Sequence, residues 1–266
     1  TASCSYLRLL DGSTVHIEIY SDASSRLAIR RGDGTVLETS SYVLTLDAYF
    51  FLELKVKIDD GTSGSWLVKV NNVQIMSDGE SGGDTRNGGN AYANVIWIGS
   101  SSLAGSAADF DDFRVLDITG SYNNDFLGDR RGMTQFSNAD GTYTDFTAST
   151  GNRFECVNKV TPTADAKYIK SLTAGHKATF SFPALGVTGS IACVETNIYG
   201  LKSDAGTRIV KPICKSGATE SAGAEYSLND SGIYVPPYAQ EVDPATGVPW
   251  LVAGVDAAEQ GLQLVS

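Results

Sequence analysis

Short runs of alternating apolar and polar residues, separated by turn residues, constrain the fold of this chain more than any other feature. The longest run covers residues 49–58, where Leu52, Leu54 and Val56 fall on one face and charged residues fall on the other. A period of two is typical of a strand that buries one face in a sheet. Helical heptads are absent, so the sequence predicts an all-β chain.

The middle of the chain contains two further apolar runs, residues 92–99 and 108–116, on either side of a loop rich in glycine, serine and alanine. In the second run Phe113 and Val115 alternate with polar residues such as Arg114. We expect this run to form a half-buried strand that closes a sandwich built from the residues before it. The residues after it are expected to form a second β unit.

Strand-like runs separated by turn signals continue along both halves of the chain. They cover residues 4–10, 14–20, 26–31, 35–39, 65–70 and 73–76 in the first half, and residues 152–158, 166–172, 177–182, 191–199, 207–214, 232–235 and 261–266 in the second. Asp11-Gly12 and Asn71-Asn72 are typical of tight hairpin turns, because Asn and Gly tolerate a left-handed backbone. A helical turn is expected near residues 256–260, and Trp250 is expected to anchor the preceding turn.

The charge of the chain excludes several classes of partner. Among 266 residues, 20 are Lys or Arg and 31 are Asp or Glu, which gives a formal net charge of −11. Acidic side chains outnumber basic ones both up to Asp117 and after it. Neither half therefore offers the basic surface that nucleic acid or an anionic membrane requires. No apolar run is long enough to span a bilayer, so no membrane insertion is expected.

The four cysteines are widely and irregularly spaced, at Cys4, Cys156, Cys193 and Cys214. No CxxC pair exists, which disfavours a zinc site. We expect thiols that pack as small apolar side chains. A bond between Cys193 and Cys214 remains the alternative if their strands are neighbours.

Four stretches of the first half carry a resemblance to a known family. They are residues 9–12, 49–56, 66–75 and 111–117, which read LLDG, YFFLELKV, WLVKVNNVQI and DDFRVLD. These stretches resemble concanavalin A-like (laminin G-like) jelly-roll domains. Together with residues 120–130, 139–146 and 243–250, they make the chain resemble virion structural proteins of tailed bacteriophages, in which a jelly roll precedes a second β domain.

The resemblance implies a division into three parts. Residues 1–117 would form a concanavalin A-like jelly-roll sandwich, residues 118–150 a linker with packing anchors, and residues 151–266 a second, smaller β-sandwich domain. Jelly rolls of this family usually begin with further strands before the LLDG position. Those strands are expected either to precede Thr1 or to be supplied by a neighbouring subunit at an exposed sheet edge.

The resemblance also implies a function without bond-breaking chemistry. The expected protein is a structural component of a tailed-phage virion, in the tail, in a fibre or near the receptor, assembled in the host cytoplasm. Its lectin-like module would bind other virion proteins, copies of itself and host-surface glycans. A head decoration or head fibre protein and a secreted carbohydrate-binding module are the alternatives, and a polysaccharide hydrolase or lyase with degenerate motifs is a third.

Catalytic patterns are missing from the sequence. Glycosidases on this fold need two carboxylates along one strand face, and no such strand is present. Glu18 and Glu53 are single carboxylates that we expect on a solvated sheet face. His16 and His176 have no nucleophile partner at a recognisable motif. The sequence therefore predicts that the chain is not an enzyme.

The strongest acidic cluster contains Asp109 and Asp111, which alternate and could supply two oxygen ligands to calcium from one face of a strand. Calcium is the one cofactor that the sequence suggests. The alternative is that these carboxylates cap backbone amides or pair with Arg114.

Two further groups of residues are candidates for binding. The glycine-rich loop of residues 77–91 and its C-terminal neighbour could hold a glycan through one aromatic ring and three polar side chains: Asp84, Asn87, Asn90 and Tyr92. The loop could instead be a mobile connector or a subunit contact. The predicted linker carries four candidate assembly contacts: Tyr122, Phe126, Arg130 and Arg131.

Overall fold

The computed structural model of the protein describes residues 4–45, 47–78, 82–99, 108–159 and 166–266. Within them the chain is nearly all β, with several antiparallel sheets, so the predicted all-β fold is confirmed. The chain divides into two compact units, Thr1–Gly132 and Met133–Ser266. Neither helix in the described part of the chain has the length and apolar character that a membrane span needs.

The first unit contains eight strands among its described residues. They are β1 (Cys4–Asp11), β2 (Thr14–Ser21), β3 (Arg26–Arg31), β4 (Val36–Val43), β5 (Leu52–Lys57), β6 (Ser65–Val70), β7 (Val73–Ser77) and β8 (Val95–Ile98). Five of them form one antiparallel sheet in the order β4-β3-β2-β1-β8, and β5-β6-β7 form another. The predicted turns are present, with φ of 59° at Gly12, 50° at Asn71 and 67° at Asn72.

The two sheets of the first unit share one apolar core. Its buried members are Ile17, Ile19, Leu27 and Ile29 from the five-stranded sheet and Trp66, Val68, Val70 and Met76 from the three-stranded sheet. Leu52, Leu54 and Val56 pack against this cluster, as their alternation predicts. Each fully buried aliphatic side chain of this size contributes about 1.5–3 kcal/mol. The first unit is therefore a β-sandwich.

The second unit contains ten strands and two short helices among its described residues. They are β9 (Ala139–Thr144), β10 (Thr147–Ala148), α1 (Arg153–Val157), β11 (Ile169–Lys170), β12 (Lys177–Ser181), β13 (Val194–Gly200), β14 (Ile209–Ser216), β15 (Thr219–Ala222), β16 (Tyr226–Ser227), β17 (Ile233–Gln240), α2 (Val252–Ala257) and β18 (Glu259–Leu264). The main sheet has the order β15-β14-β18-β12-β9, and β16 also pairs with β14. Two ribbons, β13–β17 and β10–β11, complete the unit.

Trp250 anchors the second unit in the predicted way. It is 1% exposed, packs with Cys214 and Ala258, and donates from Nε1 to the Gln240 carbonyl oxygen at 3.0 Å. A buried indole normally finds such a partner for its one polar atom. The helical turn expected close to it is α2, which lies a few residues earlier than residues 256–260.

Two predicted strands are wrong. Residues 108–116 form no strand, and Asp112 has a left-handed φ of 52° that interrupts the extended backbone. Residues 152–158 contain α1 instead, because Glu155 Oε2 accepts the backbone N–H of Asn152 at 3.1 Å and stabilises a helical first turn.

The residues assigned to a linker divide between the two units. Residues 118–132 belong to the first unit, whereas residues 139–144 form β9, which pairs with β12. The compact units therefore meet along the chain at residues 132 and 133, and residues 133–150 belong to the second unit.

Candidate functional site

Residues 108–132, here called the return segment, contain no strand or helix and are anchored on the three-stranded sheet. Phe126 packs against two lysines of this sheet, with Lys69 Nζ 4.1 Å and Lys55 Nζ 5.9 Å from its ring centre. Lys55 also lies 3.0 Å from Asp125 and holds the pKa of that carboxyl below its usual value. Phe126, a predicted assembly contact, is therefore engaged within its own unit through cation–π contacts.

The other predicted assembly contacts lie along the same segment. Tyr122 is half-buried, Arg131 is exposed, and Arg130 donates from Nε to a carbonyl of the segment at 3.1 Å. Gly128 N–H donates to Glu53 Oε1 at 2.9 Å, which ties the segment to β5. Glu53 is consequently half-buried, although the sequence predicts a solvated carboxylate.

The first part of the return segment, residues 108–118, has inverted polarity: its apolar side chains are exposed, whereas a charged group is buried. Phe113, Val115 and Ile118 are 55%, 61% and 76% exposed. In contrast, both Nη atoms of Arg114 are buried and have no hydrogen-bond partner among the described residues. Burial lowers the pKa of this guanidinium. The alternation that predicts a strand is thus present with its apolar face turned to solvent.

The backbone of residues 108–118 also has no strand partner in the described part of the chain. No backbone-to-backbone hydrogen bond joins these residues to the rest of the described chain. The amide of Asp112 instead donates to Asp111 Oδ1 at 2.8 Å, and Asp112 Oδ1 accepts from Gly132 N–H at 2.7 Å. Unpaired backbone beside exposed apolar side chains is a template for pairing with another chain.

The candidate calcium ligands lie in this part of the segment. Asp109 and Asp111 are exposed, and Asp111 caps the following amide as described above. Among the residues that the structure describes, no three His, Cys, Asp or Glu side chains come together in a way that could hold a metal ion. Calcium at Asp109 and Asp111 stays a prediction from the sequence.

Two of the four candidate glycan residues, Asp84 and Asn87, form polar contacts with strands of the five-stranded sheet. Asp84 pairs with Arg31, and Asn87 donates from Nδ2 to the Val15 carbonyl at 2.9 Å. The Asn87 backbone N–H donates to His16 Nδ1 at 3.0 Å, so this loop covers an imidazole that is fully buried.

The remaining two glycan candidates lie closer to the surface. Asn90 donates to Asp11 at 2.7 Å and to the Tyr92 hydroxyl at 3.3 Å. Tyr92 is 52% exposed. The polar groups of Asp84, Asn87 and Asn90 are thus occupied by intramolecular partners, and glycan binding at this loop stays a prediction.

Sequence reasoning missed a charged row on the outer face of the five-stranded sheet. Glu18 is only 5% exposed, so the expectation of a solvated carboxylate is wrong. Arg8 and Arg30 flank it from the adjacent strands, and Arg8 Nη2 lies 2.8 Å from Glu18 Oε1. Trp97 covers Arg8 and Tyr20 covers Arg30, at 4.9 Å and 4.4 Å from ring centre to Cζ.

The second histidine, His176, takes part in a local hydrogen-bonded turn. His176 Nδ1 lies 2.8 Å from Ser171 Oγ, but that hydroxyl also accepts the Thr173 N–H at 3.2 Å and so caps a turn.

All four cysteines are thiols, as predicted. Cys4, Cys156 and Cys214 are buried, whereas Cys193 is exposed and does not pack as a core side chain. Burial raises the pKa of Cys214.

Comparison with known proteins gives no relative of this chain. No protein-family model, no curated protein and no solved structure matches it significantly.

Proposed function

We propose that this protein is a non-enzymatic structural subunit of a tailed-phage virion, and that it assembles through residues 108–118. The observation that carries the assembly role is the inverted polarity of this stretch. Phe113, Val115 and Ile118 face solvent, and the backbone beside them forms no backbone hydrogen bond to another described residue. A neighbouring subunit that covers these side chains would remove their apolar surface from water, which favours association.

Strand addition is the mode of association that these features favour. β8 ends the described five-stranded sheet, and its Val95 and Ile96 are 42% and 37% exposed. A stretch with a period of two, such as residues 113–116 of a neighbouring copy, can extend such a sheet by backbone hydrogen bonds. Its alternate side chains would then add apolar contacts on one face. The proposed contact is therefore residues 108–118 of one copy on β8 of the next.

The placement in a virion rests on the sequence resemblance. A chain with two β units suits a virion component, because neighbouring subunits can bind one unit while the other is displayed on the particle. Tail, fibre and receptor-adjacent positions suit a lectin-like module better than the head, because host surfaces are met there. Multivalent display would strengthen weak glycan contacts through copy number.

The assembly role is tested by the concentration dependence of the size of the full-length chain in solution. We expect self-association of the wild type in sedimentation velocity and at least a tenfold weaker association in the double variant Phe113→Ser/Val115→Ser, which corresponds to about 1.4 kcal/mol. Val73→Ser is the matched control, because Val73 is 65% exposed and lies outside the segment. A wild type that stays monomeric, or a double variant that associates equally well, would contradict the proposed contact.

The virion placement is tested on particles of the phage that encodes the chain. An antibody against the second unit should label intact tailed particles in electron micrographs, at the tail or at a fibre. Particles that lack the chain in mass spectrometry would refute the virion placement. Labelling on the head alone would favour the decoration protein instead.

A further inference from the structure

The ribbon of β13 and β17 in the second unit presents two aromatic rings side by side. Tyr199 and Tyr234 are directly opposite each other in the antiparallel register. Their ring centres are 4.9 Å apart, with an angle of 61° between the rings. Tyr234 is 64% exposed and Tyr199 is 36% exposed. The pair therefore forms an accessible aromatic platform in which the two rings meet edge to face.

A glycine in the adjoining turn makes room for this platform. A Cβ atom at Gly232 would lie 2.0 Å from the Tyr199 hydroxyl oxygen, and Gly232 has a left-handed φ of 83°. Any other residue would have to displace the Tyr199 ring or strain the turn. The absence of a side chain at Gly232 thus leaves room for Tyr199 in the position that the structure shows.

Polar groups continue the same face of the ribbon. Asn197 and Glu195 alternate with buried or half-buried residues of β13, and both are exposed. Their side chains make no hydrogen bond to any described residue, so an amide and a carboxylate are available to a ligand. At about 3.3 Å per residue, Glu195 and Tyr199 are about 13 Å apart along the strand. Opposite Asn197, the register shift of the ribbon places two prolines of β17, which stiffen this edge.

We propose that the outer face of the β13–β17 ribbon, centred on Tyr199 and Tyr234, binds an uncharged carbohydrate chain. The C–H faces of a pyranose ring pack on aromatic rings, and its hydroxyl groups both donate and accept hydrogen bonds. Asn197 can do both in return, and Glu195 accepts. The carboxylate of Glu195 and the net charge of −11 disfavour a uronic or sialic acid by repulsion.

This site is separate from the assembly contact proposed above and does not depend on it. It lies in the second unit, whereas residues 108–118 and β8 lie in the first. A variant in one site leaves the other intact. Failure of sugar binding therefore says nothing about self-association, and failure of self-association says nothing about sugar binding.

The test uses the full-length chain with three neutral oligosaccharides as probes, namely cellohexaose, maltohexaose and chitohexaose. Ligand-observed saturation-transfer NMR and isothermal calorimetry measure binding. We expect at least one probe to bind, and Tyr234→Ala to weaken its binding at least tenfold. Tyr234→Phe keeps the ring and should bind within about twofold of the wild type, since a factor of two is only about 0.4 kcal/mol.

Tyr49→Ala is the matched control, because Tyr49 is 82% exposed and lies in the first unit. It should bind the sugar as the wild type does. Gly232→Ala should weaken binding through the displaced Tyr199 ring, with thermal unfolding followed in parallel to verify folding. Absence of binding by all three probes at millimolar concentration would overturn the proposal. So would equal binding by Tyr234→Ala, and so would a loss of self-association in that variant, which would assign the face to a protein contact.

Discussion

Two regions of the first unit invert the usual relation between polarity and burial. The outer face of β2 is polar in sequence, yet His16 and Glu18 are buried. Residues 108–118 are apolar in sequence at Phe113 and Val115, yet these side chains are exposed. The local sequence pattern therefore determines which side chains share a face of the strand. The residues that pack on that face in the folded structure determine whether it is buried.

The two regions also treat their charges differently. Glu18 lies between two guanidiniums, and each of its oxygens has at least one of them as a partner. Neither buried Nη atom of Arg114 has a hydrogen-bond partner among the described residues, although the carboxylates of Asp112, Asp129 and Glu53 lie close enough to oppose the lowering of its pKa by burial. The first arrangement is complete within one chain. The arrangement around Arg114 is what we expect of a stretch that binds a second copy of the chain.

Removal of the Glu18 carboxylate should have the largest effect on the free energy of unfolding. Glu18→Ala leaves Arg8 and Arg30 facing each other without their shared anion, and we expect a loss of about 3 kcal/mol in the free energy of unfolding. This is the lower end of the range for a broken buried pair, because both arginines are partly exposed. Urea denaturation of the full-length chain, followed on the transition of the first unit, measures it.

The control for this variant is an exposed ion pair of the same unit. Asp125, at 66% side-chain exposure, pairs with Lys55, and Asp125→Ala should cost about 0–1 kcal/mol. Equal losses in the two variants would mean that the charged row contributes no more than an ordinary surface pair.

Removal of the Arg114 charge from residues 108–118 should stabilise the protein, whereas removal of the Glu18 charge should destabilise it. Arg114→Met keeps most of the side-chain volume and replaces a guanidinium whose buried Nη atoms have no hydrogen-bond partner among the described residues. We expect the free energy of unfolding to rise by about 1–2 kcal/mol, because an unsatisfied buried group carries a penalty of this order. Arg86→Met is the control, since Arg86 pairs with Asp60 and should not gain stability. A destabilised Arg114→Met would show that the guanidinium has a favourable role in this position.

Weakening the cover over His16 should have a smaller effect. Asn87→Ala removes the side-chain bond to the Val15 carbonyl while the backbone bond to His16 Nδ1 can remain. We expect a loss of about 1 kcal/mol and faster amide hydrogen exchange at residues 15–17. Asn90→Ala, whose partners are exposed, should leave the exchange of these amides unchanged. Unchanged exchange in Asn87→Ala would mean that the loop does not protect β2.

The strands of the first unit could be predicted closely, because each buries an apolar face against the same core. Their register could not. A bulge between Leu9 and Leu10 moves the pairing by one residue, so that Arg8 lies opposite Glu18. Without the bulge the Asp11-Gly12 turn would place Arg8 opposite Ile17, and nothing in the local pattern shows the shift.

The candidate sites were harder to predict for the same reason. The alternation around Phe113 and Val115 predicts a strand, and that prediction is wrong, because no described strand of the chain pairs with this stretch. The platform of Tyr199 and Tyr234 depends on a register between β13 and β17, which are more than thirty residues apart in the chain. Sequence spacing contains no signal for such a pair, although Gly232 marks a place where a side chain would not fit.

The smallest predicted effect concerns the end of the exposed stretch, where polar groups are satisfied locally. The Thr119 hydroxyl and backbone N–H donate to Asp117 Oδ1 at 2.7 Å and 2.9 Å, and they hold the pKa of this carboxyl below its ordinary value of 3.8. Because the folded-state pKa is lowered, the contribution to stability is present above the ordinary value and is lost as the pH falls through the folded-state pKa. Thr119→Val removes the hydroxyl bond alone and should raise the pKa of Asp117 toward 3.8, as carboxyl ¹³C NMR titration would show. An ordinary pKa of Asp117 in the wild type would mean that this turn is not formed in solution, so that no ordered turn would separate residues 108–118 from the anchored remainder of the return segment.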